Sequence, residues 1–153
     1  MINFIDNLEN YTNIEKVIFV STCSNYGIAN ENKLLSETDE LKPLSPYAKS
    51  KVKIEKYIES KKNKVGYVPT ILRFATAFGY SPRMRFDLTV NHFSYSIFKE
   101  KNLEIYDANT WRPYCHVKDF ARLIYQVLNT EKRMINFQVF NSGGDINNFT
   151  KIK

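Results

Sequence analysis

Val17-Ile18-Phe19-Val20 is an unbroken apolar, β-prone run that ends at Ser21-Thr22. A strand that is apolar at every position is buried on both faces, the habit of parallel sheets covered by helices. A second run of this kind, Thr70-Ile71-Leu72-Arg73-Phe74, follows, with Pro69 at its entrance, where a missing N–H is tolerated. Leu103-Glu104-Ile105-Tyr106 and Phe137-Gln138-Val139-Phe140 are two shorter candidates, the last closed by Gly143-Gly144.

Helical periodicity fills the intervals. Ile2, Ile5, Leu8 and Tyr11 share a face over residues 2–12. Ser45-Pro46 places Ser at the N-cap and Pro at N1 of a helix reaching about Ser60. Asp87 is the expected cap of a helix from Leu88 to about Glu100, and Val117 to Leu128 is amphipathic through Phe120, Leu123, Ile124 and Val127. Thr150 is a further candidate cap. Alternating strands and helices imply an α/β fold with a mainly parallel sheet. The family likeness set out below implies more: a partial Rossmann-like parallel sheet with helices, plus part of a small substrate-binding lobe, in one incomplete domain over 1–153 with core elements at 1–79, lobe elements at 80–115 and a return to the core at 116–153.

With 153 residues and 25% charged residues, the chain suits one soluble globular domain. No apolar run approaches the ~20 residues of a membrane helix, and no signal peptide is visible. Cys23 and Cys115 have no metal-type spacing, so no metal is expected, and free thiols in a reducing cytoplasm are. The net charge is +6, with lysines at 49, 51, 53, 56, 61, 62 and 64. No recognised nucleic-acid module accompanies them, so they read as a solvated helix face.

Tyr47 and Lys51 stand four apart at a helix start, which puts both on one face. A phenol near pKa 10 is too weak an acid to serve as a base at neutral pH. An ammonium about 4 Å away, at an effective dielectric near 20, supplies about 4 kcal/mol, or roughly three pKa units. Tyr57 with Lys61 and Tyr95 with Lys99 repeat the spacing, so spacing alone does not select a pair. Context does: the strand ending in Ser21-Thr22 delivers hydroxyls to the C-terminal edge of the sheet, where open α/β sheets bind ligands.

Four segments in order now carry a family likeness. They are Val17–Gly27, with Ser-Thr at a strand end followed by Tyr26-Gly27; Pro43–Lys51, containing Ser-Pro-Tyr-Ala-Lys-Ser-Lys; Thr70–Gly79; and Arg112-Pro113-Tyr114-Cys115-His116-Val117-Lys118-Asp119. Together they resemble the extended short-chain dehydrogenase/reductases of the NAD-dependent epimerase/dehydratase family. The resemblance implies NAD or NADP as cofactor and a nucleotide sugar as substrate. It implies Thr22, Tyr47 and Lys51 as the catalytic set and Ser21, Tyr47, Lys51, Phe74 and Ala75 along the cofactor. Thr22, Asp87, Leu88 and Arg112 are implied along the substrate, with Arg112 on the diphosphate, a task suited to its planar fork. His116 falls where the family holds His or Tyr and reads as structural.

The sequence departs from the family at two places. Cys23-Ser24 stand where a dehydratase carries Asp-Glu, and elimination of water needs an acid and a base at neighbouring carbons. Epimerisation or keto reduction is therefore expected over dehydration. In addition, the five glycines (27, 66, 79, 143 and 144) form no Gly-rich dinucleotide turn. The expectation is a downstream piece of an epimerase, weakly active or inactive alone, with a missing N-terminal half or a homodimer partner. The competing expectation is a non-catalytic nucleotide-sugar-binding or partner module.

Overall fold

A computed structural model describes residues 1–28 and 34–152. In chain order the elements are α1 (Ile2–Leu8), β1 (Lys16–Thr22), α2 (Pro46–Ser60), β2 (Val68–Phe74), β3 (Thr76–Phe78), α3 (Thr89–Phe98), β4 (Arg112–His116), α4 (Val117–Asn129), α5 (Lys132–Ile135), β5 (Gln138–Ser142) and β6 (Asn148–Phe149). Two 3-10 turns, Cys23–Tyr26 and Asp145–Asn147, punctuate the loops.

The main sheet has strand order β1-β2-β5 and is parallel throughout. Phe19 pairs with Ile71, and Ile71 with Val139. One face packs Phe19 and Ile71 against Ile5 of α1 and Ile58 of α2. The opposite face packs Leu72 against Val127 of α4 and Ile135 of α5, with Ile18 and Phe140 alongside. This helix–sheet–helix layering explains the apolar runs: helices lie on both faces of the sheet, although Val20 near the end of β1 stays exposed. Leu72 is fully buried, and its sheet neighbours Val20 and Phe140 stand on either side.

A second, smaller sheet runs β3-β4-β6, with β3 parallel and β6 antiparallel to β4. Its strands escaped the sequence reading because they are short. Arg112–His116 reads as a polar motif rather than a strand, and it becomes one because Tyr114 and Cys115 pair with Thr76 and Ala77.

Several expectations need correction. The helix forecast over 2–12 ends at Leu8, where the Tyr11 ring is left exposed. Residues 103–106 form no strand: Ile105 is exposed, and the Tyr106 carbonyl instead accepts from Lys151 Nζ. Asp87 does not cap α3. Leu88 occupies the N-cap position without a side-chain bond, while Asp87 is held by Arg85. Thr150 begins no helix; it is buried and its hydroxyl has no partner among the described residues.

Candidate active site

The capping signal at the start of α2 is realised as expected. Ser45 Oγ accepts from Ala48 N at 3.1 Å, and Pro46 occupies the first helical turn. This fixes the direction in which Tyr47 and Lys51 leave the helix. Tyr47 is open to solvent, 55% exposed, whereas Lys51 is half-buried beside β1.

The lysine gives its ammonium to the backbone of β1. Lys51 Nζ lies 5.7 Å from the Tyr47 ring centre and 4.9 Å from that of Phe19, and it donates to the Val20 carbonyl at 2.7 Å. The carbonyl competes for the ammonium because it has no strand on its outer side. Burial pushes the Lys51 pKa down, opposed by the Glu55 carboxylate.

Thr22 ends β1, buried, with its hydroxyl accepting from Ser24 N at 3.2 Å. Ser21 points the other way. Its hydroxyl donates to Glu55 and accepts from Asn25 Nδ2 at 3.0 Å, so it presents no side-chain group at the open strand end. Glu55 also meets Arg73 Nη2 at 2.8 Å and Asn25 Nδ2 at 2.7 Å. Arg73 extends the network through Nη1 to Tyr26 Oη at 2.8 Å, and Tyr26 donates to Asn141 Oδ1 at 2.7 Å. Burial disfavours the Arg73 cation, yet its bonds with Glu55 and Tyr26 prevail and its pKa is raised. Burial likewise raises the Tyr26 phenol, against the pull of Arg73. None of Glu55, Arg73, Asn25 or Asn141 was singled out from the sequence. An acidic residue on the buried side of a helix opposite an arginine within an apolar strand is the signal that could have found the first two.

Phe74 turns its ring onto Phe120, with centroids 3.9 Å apart and planes 12° from parallel. Ala75 is buried, and its N–H donates to the Ser142 carbonyl at 3.0 Å. Leu88 is half-buried at the start of α3, and Asp87 is exposed, its carboxyl held down to about 2 by Arg85. Asn91, also unforeseen, ties this loop together: its Oδ1 accepts from Gly79 N at 3.1 Å, and its Nδ2 donates to the Arg85 carbonyl at 3.2 Å.

Arg112 opens β4 and lines a cavity of about 680 Å³ with Cys23, Trp111, Glu37 and Asn148. Neither Asp107 nor Asp119 pairs with it among the described residues; Asp119 bonds Arg122 instead. Cys23 borders both halves of the site, adjoining Thr22 in the chain and lying in the field of Arg112. Burial raises its thiol pKa, and the Arg112 charge only partly offsets this. His116 is structural as expected: its Nδ1 accepts from Lys118 N at 3.2 Å, capping α4. No group of three or more His, Cys, Asp or Glu fit to hold a metal occurs among the described residues. No described helix is long and apolar enough to cross a membrane.

The NAD dependent epimerase/dehydratase family model matches residues 1–143. The chain belongs to this family. An uncharacterized UDP-glucose epimerase of Bacillus subtilis, YtcB, is 34% identical over 116 residues, covering 75% of this chain and 35% of the relative. Protein CapI of Staphylococcus aureus is 30% identical, covering 84% of this chain and 39% of its own length. Among solved structures, the UDP-glucuronic acid 4-epimerase of Bacillus cereus, in complex with UDP-glucuronic acid and NAD, superposes with a TM-score of 0.85 at 26% identity. That match covers 99% of this chain and 46% of the neighbour. The chain thus spans under half the length of the relatives it matches. The family cofactor is NAD(P), and the Bacillus cereus enzyme and a UDP-N-acetylglucosamine 4-epimerase of Methanobrevibacter ruminantium are seen with UDP-sugars bound.

Proposed function

We propose that this epimerase-family chain carries the proton-transfer and substrate-gripping half of a NAD(P)-dependent sugar-nucleotide epimerase. The observation that supports it best is that Lys51 bonds the Val20 carbonyl, two residues before Thr22 at the end of β1, with its ammonium 5.7 Å from the Tyr47 ring centre. In this reading residues 1–79 form core, 80–115 lobe, and 116–153 the return to the core.

The residues present fit one end of the dinucleotide only. Lys51 offers an ammonium at the strand ends, and Phe74 and Ala75 bring backbone there. Among the described residues no glycine with positive φ offers an open cradle for a pyrophosphate. The two glycines with positive φ are closed by packing: a Cβ would lie 2.3 Å from the Lys42 carbonyl at Gly27 and 2.3 Å from His116 Nε2 at Gly79. A bound nicotinamide would supply a reversible hydride acceptor for a sugar carbon.

Thr22 orients the reacting sugar hydroxyl, and Tyr47 takes its proton and gives it back. Lys51 fixes the ribose and favours the phenolate. Arg112 grips the diphosphate from the cavity wall, and Ser21 acts from below by holding Glu55 and Asn25 in place. Asp87 and Leu88 border the nucleotide. Cys23 and Ser24 supply no carboxylate for elimination, which favours epimerisation over dehydration.

The test is turnover of a UDP-sugar by the chain supplied with a dinucleotide-binding half. Tyr47→Phe should lower kcat by at least about 10²-fold, in the range of a general acid–base group, while leaving UDP-sugar affinity within a few-fold. A second reading is a nucleotide-sugar-binding module without chemistry. It is favoured by one observation, that Arg112 lines the large cavity and Tyr47 does not. No turnover with intact binding in the complemented protein would establish that reading.

A further inference from the structure

Lys49, Lys53 and Lys56 recur at intervals of four and three along α2, so they line one side of the helix. All three are exposed, and so are Lys62 and Lys64 in the turn that follows. Lys61 bends back instead: its Nζ meets Asp6 at 2.7 Å and Glu9 at 2.8 Å, and only 20% of its side chain is exposed. None of the five outward lysines makes an ion pair or a side-chain hydrogen bond among the described residues. From Pro46 to Lys64 the one exposed carboxylate is Glu59. Five cations against one anion leave four net charges on this side, most of the chain's +6. Elsewhere on the surface cations are interleaved with carboxylates, as in Lys42 with Glu40, Arg122 with Asp119 and Arg133 with Glu131. A solvated helix face alternates its signs in that way, whereas like charges three and four apart work against the helix. The stripe on α2 calls for an anionic partner outside the chain.

We propose that this side of α2, with the turn after it, docks on an anionic phospholipid surface. The charge carriers are all lysines, compact hydrated cations that adsorb to a layer of phosphates without needing aligned acceptors. A face built for nucleic acid carries arginine forks, or aromatic rings on which bases stack. The exposed residues of α2 beyond Tyr47 are Lys49, Ser50, Lys53, Lys56, Glu59 and Ser60, and none of them is of either kind. The cavity that Arg112 lines does not border these lysines, and a convex helix face offers an acidic peptide no groove. A second copy would set two faces of the same sign against each other. A fluid anionic surface has neither fault: it is flat, and it supplies charge wherever the ammonium groups reach. From Lys49 to the end of α2 the stripe runs roughly 16 Å at the helical rise, so several headgroups lie under it. Tyr47 and Lys51 leave α2 from the far side, so docking keeps the strand-end site open. The surface stands whether or not the chain turns over a nucleotide sugar.

The test is sedimentation of the chain with vesicles of phosphatidylcholine alone and of phosphatidylcholine mixed with phosphatidylglycerol, at low salt. Binding should appear only with the anionic lipid. Added salt should release it, because exposed charges are screened beyond about 10 Å at roughly 0.1 M. Each lysine at such a surface contributes about fivefold in binding, equivalent to roughly 1 kcal/mol. The variant Lys49→Gln/Lys53→Gln/Lys56→Gln should therefore bind the mixed vesicles on the order of 100-fold more weakly. A control variant, Lys99→Gln/Lys101→Gln/Lys118→Gln, removes the same charge from exposed positions off the stripe. Its loss should stay below about threefold, since its lysines lie away from the lipid. Substitutions at exposed positions leave the core intact, and the salt titration of the unsubstituted chain reads the surface without either variant. Equal losses in the two variants would mean that net charge alone attracts the lipid, and would overturn the proposal. So would an absence of binding to the mixed vesicles, or tighter binding to a DNA duplex than to those vesicles at the same salt. A dimer in solution that the stripe variant breaks would make the partner a second copy, and would overturn it as well.

Discussion

Arg73 Nη2 meets Glu55 Oε2 at 2.8 Å, with only 6% of either side chain exposed. The pair lies between β2 and α2, beneath the strand end that carries Thr22. Glu55 is also bonded by Ser21 and Asn25, so the carboxylate organises three side chains at once. Removing one partner of a buried pair leaves the other charge uncompensated and costs about 3–5 kcal/mol. Glu55→Ala should therefore destabilise the chain by that amount in urea titration. Replacing both residues with apolar ones of similar volume, Glu55→Leu with Arg73→Met, should cost clearly less than Glu55→Ala. Equal losses in the two proteins would mean that the charge is not the governing factor.

Ser45 acts on the site through helix geometry. Its hydroxyl satisfies the Ala48 amide, and Tyr47 sits between them in the chain. Losing such a cap costs about 1 kcal/mol. Ser45→Ala should lower stability by about that much and Ser45→Asp should largely restore it, since aspartate caps as well. Thermal unfolding of the three proteins decides the matter.

Much of this was legible in the sequence, for identifiable reasons. Helix α2 begins where Ser45-Pro46 says it should because cap and proline are local signals. The strands β1, β2 and β5 announce themselves because most of their positions are apolar or sheltered, Val20 and Gln138 being exposed. Three features were not legible. The β3-β4-β6 sheet depends on pairing across the chain, which no local pattern encodes. Asp87 has the composition of a cap, but Arg85, two residues away, captures its carboxylate. Lys51 has the spacing to reach Tyr47, but spacing does not reveal an unpaired carbonyl at Val20 that takes the ammonium first.

Gly79 and His116 form a tight junction between β3 and the start of α4. Gly79 has φ +111°, and a Cβ there would lie 2.3 Å from His116 Nε2. Gly79→Ala meets both a backbone that L-residues resist and a ring that caps α4, and it should cost on the order of 1–3 kcal/mol. His116→Ala removes the ring and the cap together. In the double variant the clash is gone but the backbone strain remains, so the combined loss should be smaller than the sum of the single losses. Strict additivity in chemical denaturation would show that ring and glycine are independent.

Cys23 offers a probe of the cavity that Arg112 lines. Burial raises its thiol pKa, and the thiolate is the form that reacts with alkylating reagents. At pH 8 the folded chain should therefore be alkylated at Cys23 more slowly than the same chain in denaturant, and the rate should keep rising above the pH at which an ordinary thiol levels off. The sign for stability follows from the same shift. The folded state holds the proton more tightly, so the contribution of Cys23 is fully present below the ordinary thiol pKa and is lost as pH rises through the higher folded value. Cys23→Ala should remove that part of the alkaline decline.

Arg112 is the cation the proposal relies on for the nucleotide diphosphate, and it makes no ion pair with Asp107 or Asp119 among the described residues. A planar guanidinium binds a diphosphate through two parallel N–H donors, which an ammonium cannot copy. Charged hydrogen bonds of this kind contribute about 1.5–3 kcal/mol, so Arg112→Ala should weaken UDP binding by roughly 10- to 150-fold. Arg112→Lys should recover only part of the loss, because it returns the charge without the fork. Raising the salt concentration should weaken UDP binding to the unsubstituted chain more than to Arg112→Ala, since screening acts on the charge that the variant lacks. Calorimetric titration with UDP at two ionic strengths gives all of these numbers. If all three proteins bind UDP equally, Arg112 does not hold the diphosphate, and the large cavity is not the nucleotide site.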